Sequence, residues 1–268
     1  MSNMKLFVFD IDGTLLDSTH RILDSTRKGI CLLKELGHDV LLASARPPGA
    51  IEPFLKDLDI EPFYISLNGA LIIKQNDILA QETIPHFAAQ KAIAAAQNLG
   101  LSVNVYSGWD WSISEPNKWS KQESEIVGLQ PVIRDLSTVK DIHKILVIGS
   151  PEHIQELQRQ LLIENPGVTP TMSSSNYLEI VAGKVTKAEA LQVVCEKLEL
   201  ALDDVVVFGD GENDLAMLKA AGIGVAMGNA HPKLKEHAQF VTDTNDADGI
   251  LLGIEKVLES FNFGGQKS

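Results

Sequence analysis

The sequence predicts an α/β fold: a parallel sheet with helices on both faces, interrupted by an inserted α+β segment. Three observations carry this reading. Short apolar runs at Leu6–Phe9, Val40–Ala43 and Asp204–Phe208 have the continuous hydrophobicity of strands buried on both faces. Amphipathic helical stretches alternate with these runs, which is the pattern of a parallel sheet. Each run also ends in a polar loop, at Asp10-Ile11-Asp12-Gly13, Ser44-Ala45-Arg46 and Gly209–Asp214. Ligands of such sheets bind beyond the carboxyl ends of the strands, so the three loops are candidates for one site.

In chain order, Asp24 or Ser25 is placed to cap a helix that runs to about Leu36, with Gly37 at its end. Pro47-Pro48 opens the next helix. Phe63–Ser66, Asn68-Gly69 and Ala70–Ile73 read as strand, tight turn and strand. Residues 82–184 differ in texture. A helix over Pro85–Leu99, strands at Leu101–Tyr106, Trp109–Ser114, Lys144–Gly149 and Tyr177–Val181, and a helix over Pro151–Ile163 predict an insertion that carries Trp109, Trp111 and Trp119. A helix then begins at Lys187 and continues through Leu198, and the loop after Phe208 leads into a helix ending at Ala221.

At 268 residues the chain exceeds what one core usually organises, which suits a large domain with a smaller insertion. No apolar stretch approaches the roughly 20 residues of a membrane span, and Met1–Lys5 runs straight into a strand without the pattern of a signal peptide, so a cytoplasmic protein is expected. Cys31 and Cys195 sit in helical patterns among apolar neighbours and read as core residues of a reducing compartment. The net charge of −13 argues against nucleic acid as a partner. A small phosphate ester is compatible with it when a metal overrides the local field.

Asp10 and Asp12, two residues apart on extended or turning backbone, can project into one cavity, and paired carboxylates bind hard cations such as Mg²⁺. Read alone, the same four residues fit a polar turn as well as a site; their position after a buried strand favours a site. Asp210, Asn213 and Asp214 form a second acidic cluster, in which helix capping and ligation are compatible. Carboxylates converging there would repel one another unless a divalent cation intervened. Ser44 offers a hydroxyl beside a helix N-terminus, a usual arrangement for phosphate oxygens. Lys187 stands at a helix N-terminus, where the dipole disfavours a cation, so it is expected to serve an anion or carboxylate; for a lone lysine, solvent exposure is the ordinary alternative.

Asp10-Ile-Asp-Gly-Thr-Leu-Leu, Ser44-Ala-Arg, Lys187 and Gly209-Asp-Gly-Glu-Asn-Asp, taken in order, resemble the four motifs of the haloacid dehalogenase superfamily of phosphatases. The insertion resembles the α/β cap of its Cof-type sugar-phosphatase branch, and Thr244–Gly249 that branch's C-terminal segment. The resemblance implies a Rossmann-like catalytic core of residues 1–81 and 185–268 and a cap of residues 82–184. It implies that Asp10 is the nucleophile, forming an aspartyl-phosphate, and that Asp12 is the general acid and base. Asp10, Asp12 (through its carbonyl) and Asp210 would hold Mg²⁺. Ser44, Lys187 and Asn213 would hold the phosphoryl group, and Asp214 would support the metal without ligating it. The sequence departs from the usual pattern at Ser44-Ala45, Lys187-Ala188 and Leu215-Ala216, none of which removes a reactive group; Arg46 could contact substrate or protein. A phosphomutase of related fold and a non-enzymatic phospho-accepting module are the alternatives. A receiver-type module needs about half this length and leaves Asp12 and the insertion unexplained.

Overall fold

The computed structural model describes residues 5–75 and 77–264, and the side chains of all but the last three of these. The Met1–Met4 segment used for the signal-peptide reading lies outside the described residues. In chain order the strands are β1 (Leu6–Phe9), β2 (Asp39–Ala43), β3 (Phe63–Ser66), β4 (Leu71–Lys74), β5 (Asp77–Gln81), β6 (Ser102–Ser107), β7 (Asp110–Ile113), β8 (Val132–Ile133), β9 (Lys144–Ile148), β10 (Val168–Ser174), β11 (Tyr177–Ala182), β12 (Val205–Gly209), β13 (Ile223–Ala226) and β14 (Phe240–Val241). The helices are α1 (Asp24–Glu35), α2 (Pro48–Asp57), α3 (His86–Asn98), α4 (Lys118–Val127), α5 (Pro151–Glu164), α6 (Lys187–Leu198), α7 (Leu215–Ala220), α8 (Pro232–His237) and α9 (Gly249–Gly264).

Two compact units emerge. The first comprises Met1–Ser44, Phe54–Ile65 and Thr186–Ser268, and the second Ala45–Pro53 and Ser66–Val185. The sequence places residues 45–53, 66–81 and 185 in the core; here they group with the second unit.

The first unit is built on strands in the order β14-β13-β12-β1-β2-β3, with every pair parallel. The strands β1 and β12 are buried along their whole length, as their unbroken apolar runs require. Phe9 stacks on Phe208 across this central pair, with ring centroids 4.8 Å apart. Helix α1 packs on α9, and α6 packs on α7, placing helices on both sides of the sheet. Helix α1 begins at Asp24 itself, after Leu23, and no side chain caps it, so neither Asp24 nor Ser25 plays the expected role. Cys195 is buried, but Cys31 is exposed: it lies on the solvent side of α1 with its Sγ 3.5 Å from Glu35 Oε1. The apolar neighbours of Cys31 in sequence belong to the opposite face of the helix.

The second unit holds the β4–β5 hairpin and a six-stranded sheet ordered β10-β11-β9-β6-β7-β8. All its pairs are antiparallel except β7–β8. The register puts Val103, Val105, Ile145, Val147, Leu178 and Ile180 on one face, an apolar set suited to the covering helices α3 and α5. Asn104, Tyr106, Lys144 and Glu179 share the other face. No helix among the described residues is long and apolar enough to cross a membrane.

Candidate active site

In the first unit, chain-distant loops converge beyond the carboxyl ends of β1, β2 and β12. The backbone N–H of Asp10 donates to the carbonyl of Phe208 at 3.1 Å, continuing the β1–β12 ladder to the edge of the site. The chain then turns: Leu15 N–H returns to the Asp10 carbonyl at 3.2 Å and Leu16 N–H to that of Ile11 at 3.0 Å. Gly13 makes the turn possible. Its φ is +81°, and a Cβ there would stand 2.4 Å from Asp210 Oδ2.

Lys187 opens α6 immediately after Thr186, whose hydroxyl oxygen accepts from the Glu189 N–H at 3.1 Å and caps the helix. The lysine is fully buried, so the solvent-exposed alternative is excluded. Its Nζ donates to Asp10 Oδ1 at 2.5 Å and to Asp214 Oδ1 at 2.7 Å. The second oxygen of Asp214 accepts from the N–H groups of Asp210 and Gly211, at 3.1 and 3.0 Å. Asp214 therefore closes its own loop and anchors the lysine at once, which is a different role from capping α7.

Asp10, Asp210 and Asp214 each offer a carboxylate oxygen, and these atoms all lie within 4.8 Å of one another. Burial, followed by the charge of Asp214, pushes Asp10 well above the usual carboxylate range, with Lys187 opposing the shift. The same two causes raise Asp210 to about 6, against the hydrogen bond from Thr14. Burial alone would lower Lys187, yet Asp10 and Asp214 outweigh it and raise its affinity for a proton. Three carboxylates against one ammonium leave a deficit of positive charge. Each like-charged pair costs on the order of 4 kcal/mol at an effective dielectric near 20. The donor set is all oxygen and partly buried, so it fits a hard divalent cation.

The Asp12 carboxylate is exposed and outside this trio, though close enough to add to the shift of Asp210. Ser44 is buried directly after β2, its N–H bonded to the Ile65 carbonyl at 3.0 Å. Asn213 is exposed, and its Oδ1 lies over Gly211, where a Cβ would meet it at 2.4 Å. Arg46, in the second unit, is buried and donates from Nη1 to the Ile126 carbonyl at 3.3 Å.

Three supporting side chains escaped the sequence reading. Thr14 donates from its hydroxyl to Asp210 Oδ1 at 2.9 Å. Asn229 donates to the Gly13 carbonyl and Asn245 to the Leu16 carbonyl, both at 2.8 Å, so two later loops brace the turn after Asp10. A threonine beside a D-x-D-G turn was visible in the sequence; nothing local marks Asn229.

The haloacid dehalogenase-like hydrolase family matches this chain over residues 7–254. A 5-amino-6-(5-phospho-D-ribitylamino)uracil phosphatase of Bacillus subtilis is 30% identical over 255 residues, covering 94% of this chain and 95% of the relative. A haloacid dehalogenase-like hydrolase of Bacteroides thetaiotaomicron superposes with a TM-score of 0.88 at 30% identity, covering 95% of this chain and 99% of the other. A sugar phosphatase of subclass IIB of the superfamily does so with a TM-score of 0.84 at 27% identity, covering 97% and 99%. With its four motifs gathered at the ends of β1, β2 and β12 and the start of α6, this chain belongs to the haloacid dehalogenase-like hydrolases, in their Cof-type branch, and is a phosphatase acting on phosphate monoesters.

Proposed function

We propose that the protein is a magnesium-dependent phosphatase of small phosphate monoesters, with sugar phosphates as the substrate class, and that it works through an aspartyl-phosphate on Asp10. The observation that carries the reading is the meeting of the Asp10, Asp210 and Asp214 carboxylates, two of which, Asp10 and Asp214, also hold the ammonium of Lys187. Asp10 and Asp210, with the Asp12 carbonyl, would hold the ion, which supplies positive charge against the phosphoryl oxygens.

In the first displacement an Asp10 carboxylate oxygen bonds to phosphorus and the ester P–O bond breaks. The leaving oxygen takes the proton of the Asp12 carboxyl, whose exposed side chain suits a group that must reach the departing alcohol. In the second, a water oxygen bonds to phosphorus while the Asp12 carboxylate takes its proton. The bond from phosphorus to Asp10 breaks, inorganic phosphate leaves and both side chains regain their starting states. Ser44, Lys187 and Asn213 hold the equatorial oxygens through both steps. Residues 82–184 act as the cap that recognises the leaving group. The likeness to a sugar phosphatase supports the substrate class.

The test is an assay of purified protein with magnesium against a panel of small phosphate esters, with acid trapping of phosphorylated protein. Inorganic phosphate as product and an acid-stable label that is absent from Asp10→Asn are expected. An isomerised sugar phosphate would make the protein a mutase.

A further inference from the structure

On the polar face of the second unit's sheet, Lys144 and Glu179 sit diagonally across the β9–β11 ladder, with Nζ 3.1 Å from Glu179 Oε2. Both are buried. Glu179 also accepts from Asn68 Nδ2, and Tyr106, directly opposite Lys144 on β6, places its ring centroid 5.7 Å from the ammonium. The same Nζ donates to the carbonyl oxygen of Ala45 at 2.7 Å. Ala45 directly follows Ser44.

An ion pair joining two neighbouring strands is ordinarily structural, and burying it gains little, because desolvation offsets the attraction. That reading accounts for Lys144 and Glu179 but leaves the donation to Ala45, 99 residues earlier in the chain, as an accident. A carbonyl that accepts from an ammonium is fixed in direction. Because the peptide is planar and trans, the Arg46 N–H is then fixed in the opposite direction. Two further contacts hold the same stretch: Arg46 to the Ile126 carbonyl, and Glu52 Oε1, which accepts from Trp109 Nε1 at 2.8 Å.

We propose that Lys144, oriented by Glu179, is a positioning residue for the phosphate-binding loop, fixing the Ala45–Arg46 peptide one residue beyond Ser44. The proposal rests on the reading of Ser44 as a phosphate-holding residue. It has a distinctive consequence: every phosphate ester presents the same phosphoryl group to that loop. Loss of Lys144 therefore weakens all esters, and inorganic phosphate, by the same factor, whereas a contact to the leaving group would discriminate among them.

The experiment measures the inhibition constant of inorganic phosphate, together with kcat and KM for a small aryl phosphate and a large natural ester, in the full-length wild-type, K144M, K144R, E179Q and S44A proteins. In K144M, about a tenfold rise in the phosphate inhibition constant and in both KM values is expected, equivalent to about 1.4 kcal/mol, with a smaller change in kcat. K144R recovers most of the loss, and E179Q falls between. A lower Tm with an unchanged phosphate constant makes Lys144 merely structural and overturns the proposal, as does a loss confined to the larger ester. If K144M does not fold, E179Q and K144R decide it: an unchanged phosphate constant in both overturns it. S44A separates the two layers. An unchanged phosphate constant there removes the Ser44 reading and the proposal with it, whereas a raised constant in S44A with none in K144M removes only the positioning role.

Discussion

Lys187 Nζ and Asp10 Oδ1 stand 2.5 Å apart in the interior, though 177 residues separate them in the chain. The contact joins the end of β1 to the start of α6, against the dipole preference of a helix N-terminus. The lysine tolerates that position because two buried carboxylates, Asp10 and Asp214, receive its charge.

Replacing Asp10 by asparagine keeps an oxygen for Lys187 while removing the proposed nucleophile. Turnover should fall by at least ~10³-fold, since removing one member of a catalytic set commonly costs that much. Asp214 still pairs the ammonium, so the fold should survive. Phosphate release and a thermal melt of the purified variant check both halves; undiminished release would falsify the nucleophile assignment.

Magnesium should be required for turnover and should also stabilise the fold. The deficit of positive charge among Asp10, Asp210 and Asp214 exists only when the loops are assembled, so the ion binds the native state and not the unfolded chain. At 100 times its dissociation constant the gain is ~2.7 kcal/mol, visible as a rise in Tm. Full activity in excess chelator, or a Tm indifferent to magnesium, contradicts this.

Gly13→Ala is expected to damage stability and activity together. The left-handed backbone costs a non-glycine residue about 1 kcal/mol or more, and the new Cβ would drive into Asp210, displacing it from Thr14. Denaturant midpoint and kcat/KM measured on one preparation test the pairing. Loss of stability with full activity would mean that Asp210 can move without consequence.

His143 provides a pH prediction away from the catalytic residues. Its Nδ1 accepts from the Gly108 N–H at 3.1 Å and its Nε2 faces Gln81 Oε1 at 3.0 Å, so the neutral ring is the form that fits. Burial lowers its pKa from 6.5 to about 4, with Asp141 opposing. Between these values the unfolded chain binds a proton that the folded one does not, so stability falls as pH drops from 6.5 and levels near 4. The full loss is about 3 kcal/mol. His143→Gln should flatten the unfolding free energy across that window relative to wild type; identical pH slopes for the two proteins would refute the assignment.

What the sequence makes legible follows from where the physics is local. Asp10, Ser44 and Asp210 each terminate a short apolar run, and a strand buried on both faces must be such a run, so the three site loops can be placed from pattern alone. Helix α4 does not show in the apolar pattern although Asn117 and Ser120 form a reciprocal capping box, because the helix is polar over most of its surface. Strand β10 is hidden in the sequence because Pro170 interrupts it, which an edge strand tolerates. The bracing of Gly13 and Leu16 by Asn229 and Asn245 spans more than two hundred residues and leaves no periodic trace. Burial of Lys187 likewise depends on partners that only the fold brings together.

Discrimination among substrates should reside in residues 82–184, because the proposed mechanism commits the motif residues to the phosphoryl group, the metal and one another. The tryptophans there divide by burial. Trp111 is core, stacked on Tyr106 at 6.0 Å with its N–H donated to Asn104 Oδ1 at 3.1 Å, and Trp111→Ala should cost about 3–5 kcal/mol without selective effect on any ester. Tyr177 is the more informative position. It shares the sheet face of Lys144 and Glu179, and its hydroxyl is buried without a hydrogen-bond partner among the described residues. A buried hydroxyl left unbonded costs stability, because its desolvation is not offset until something bonds to it. Tyr177→Phe should therefore leave Tm unchanged or slightly raised, lower kcat/KM for sugar phosphates several-fold, and spare a small aryl phosphate that carries no hydroxyl to pair with it. A uniform loss across substrates would place Tyr177 with the positioning residues. No change in any substrate ratio across Tyr177→Phe and a wider scan of exposed positions in residues 82–184 would reduce the insertion to a lid.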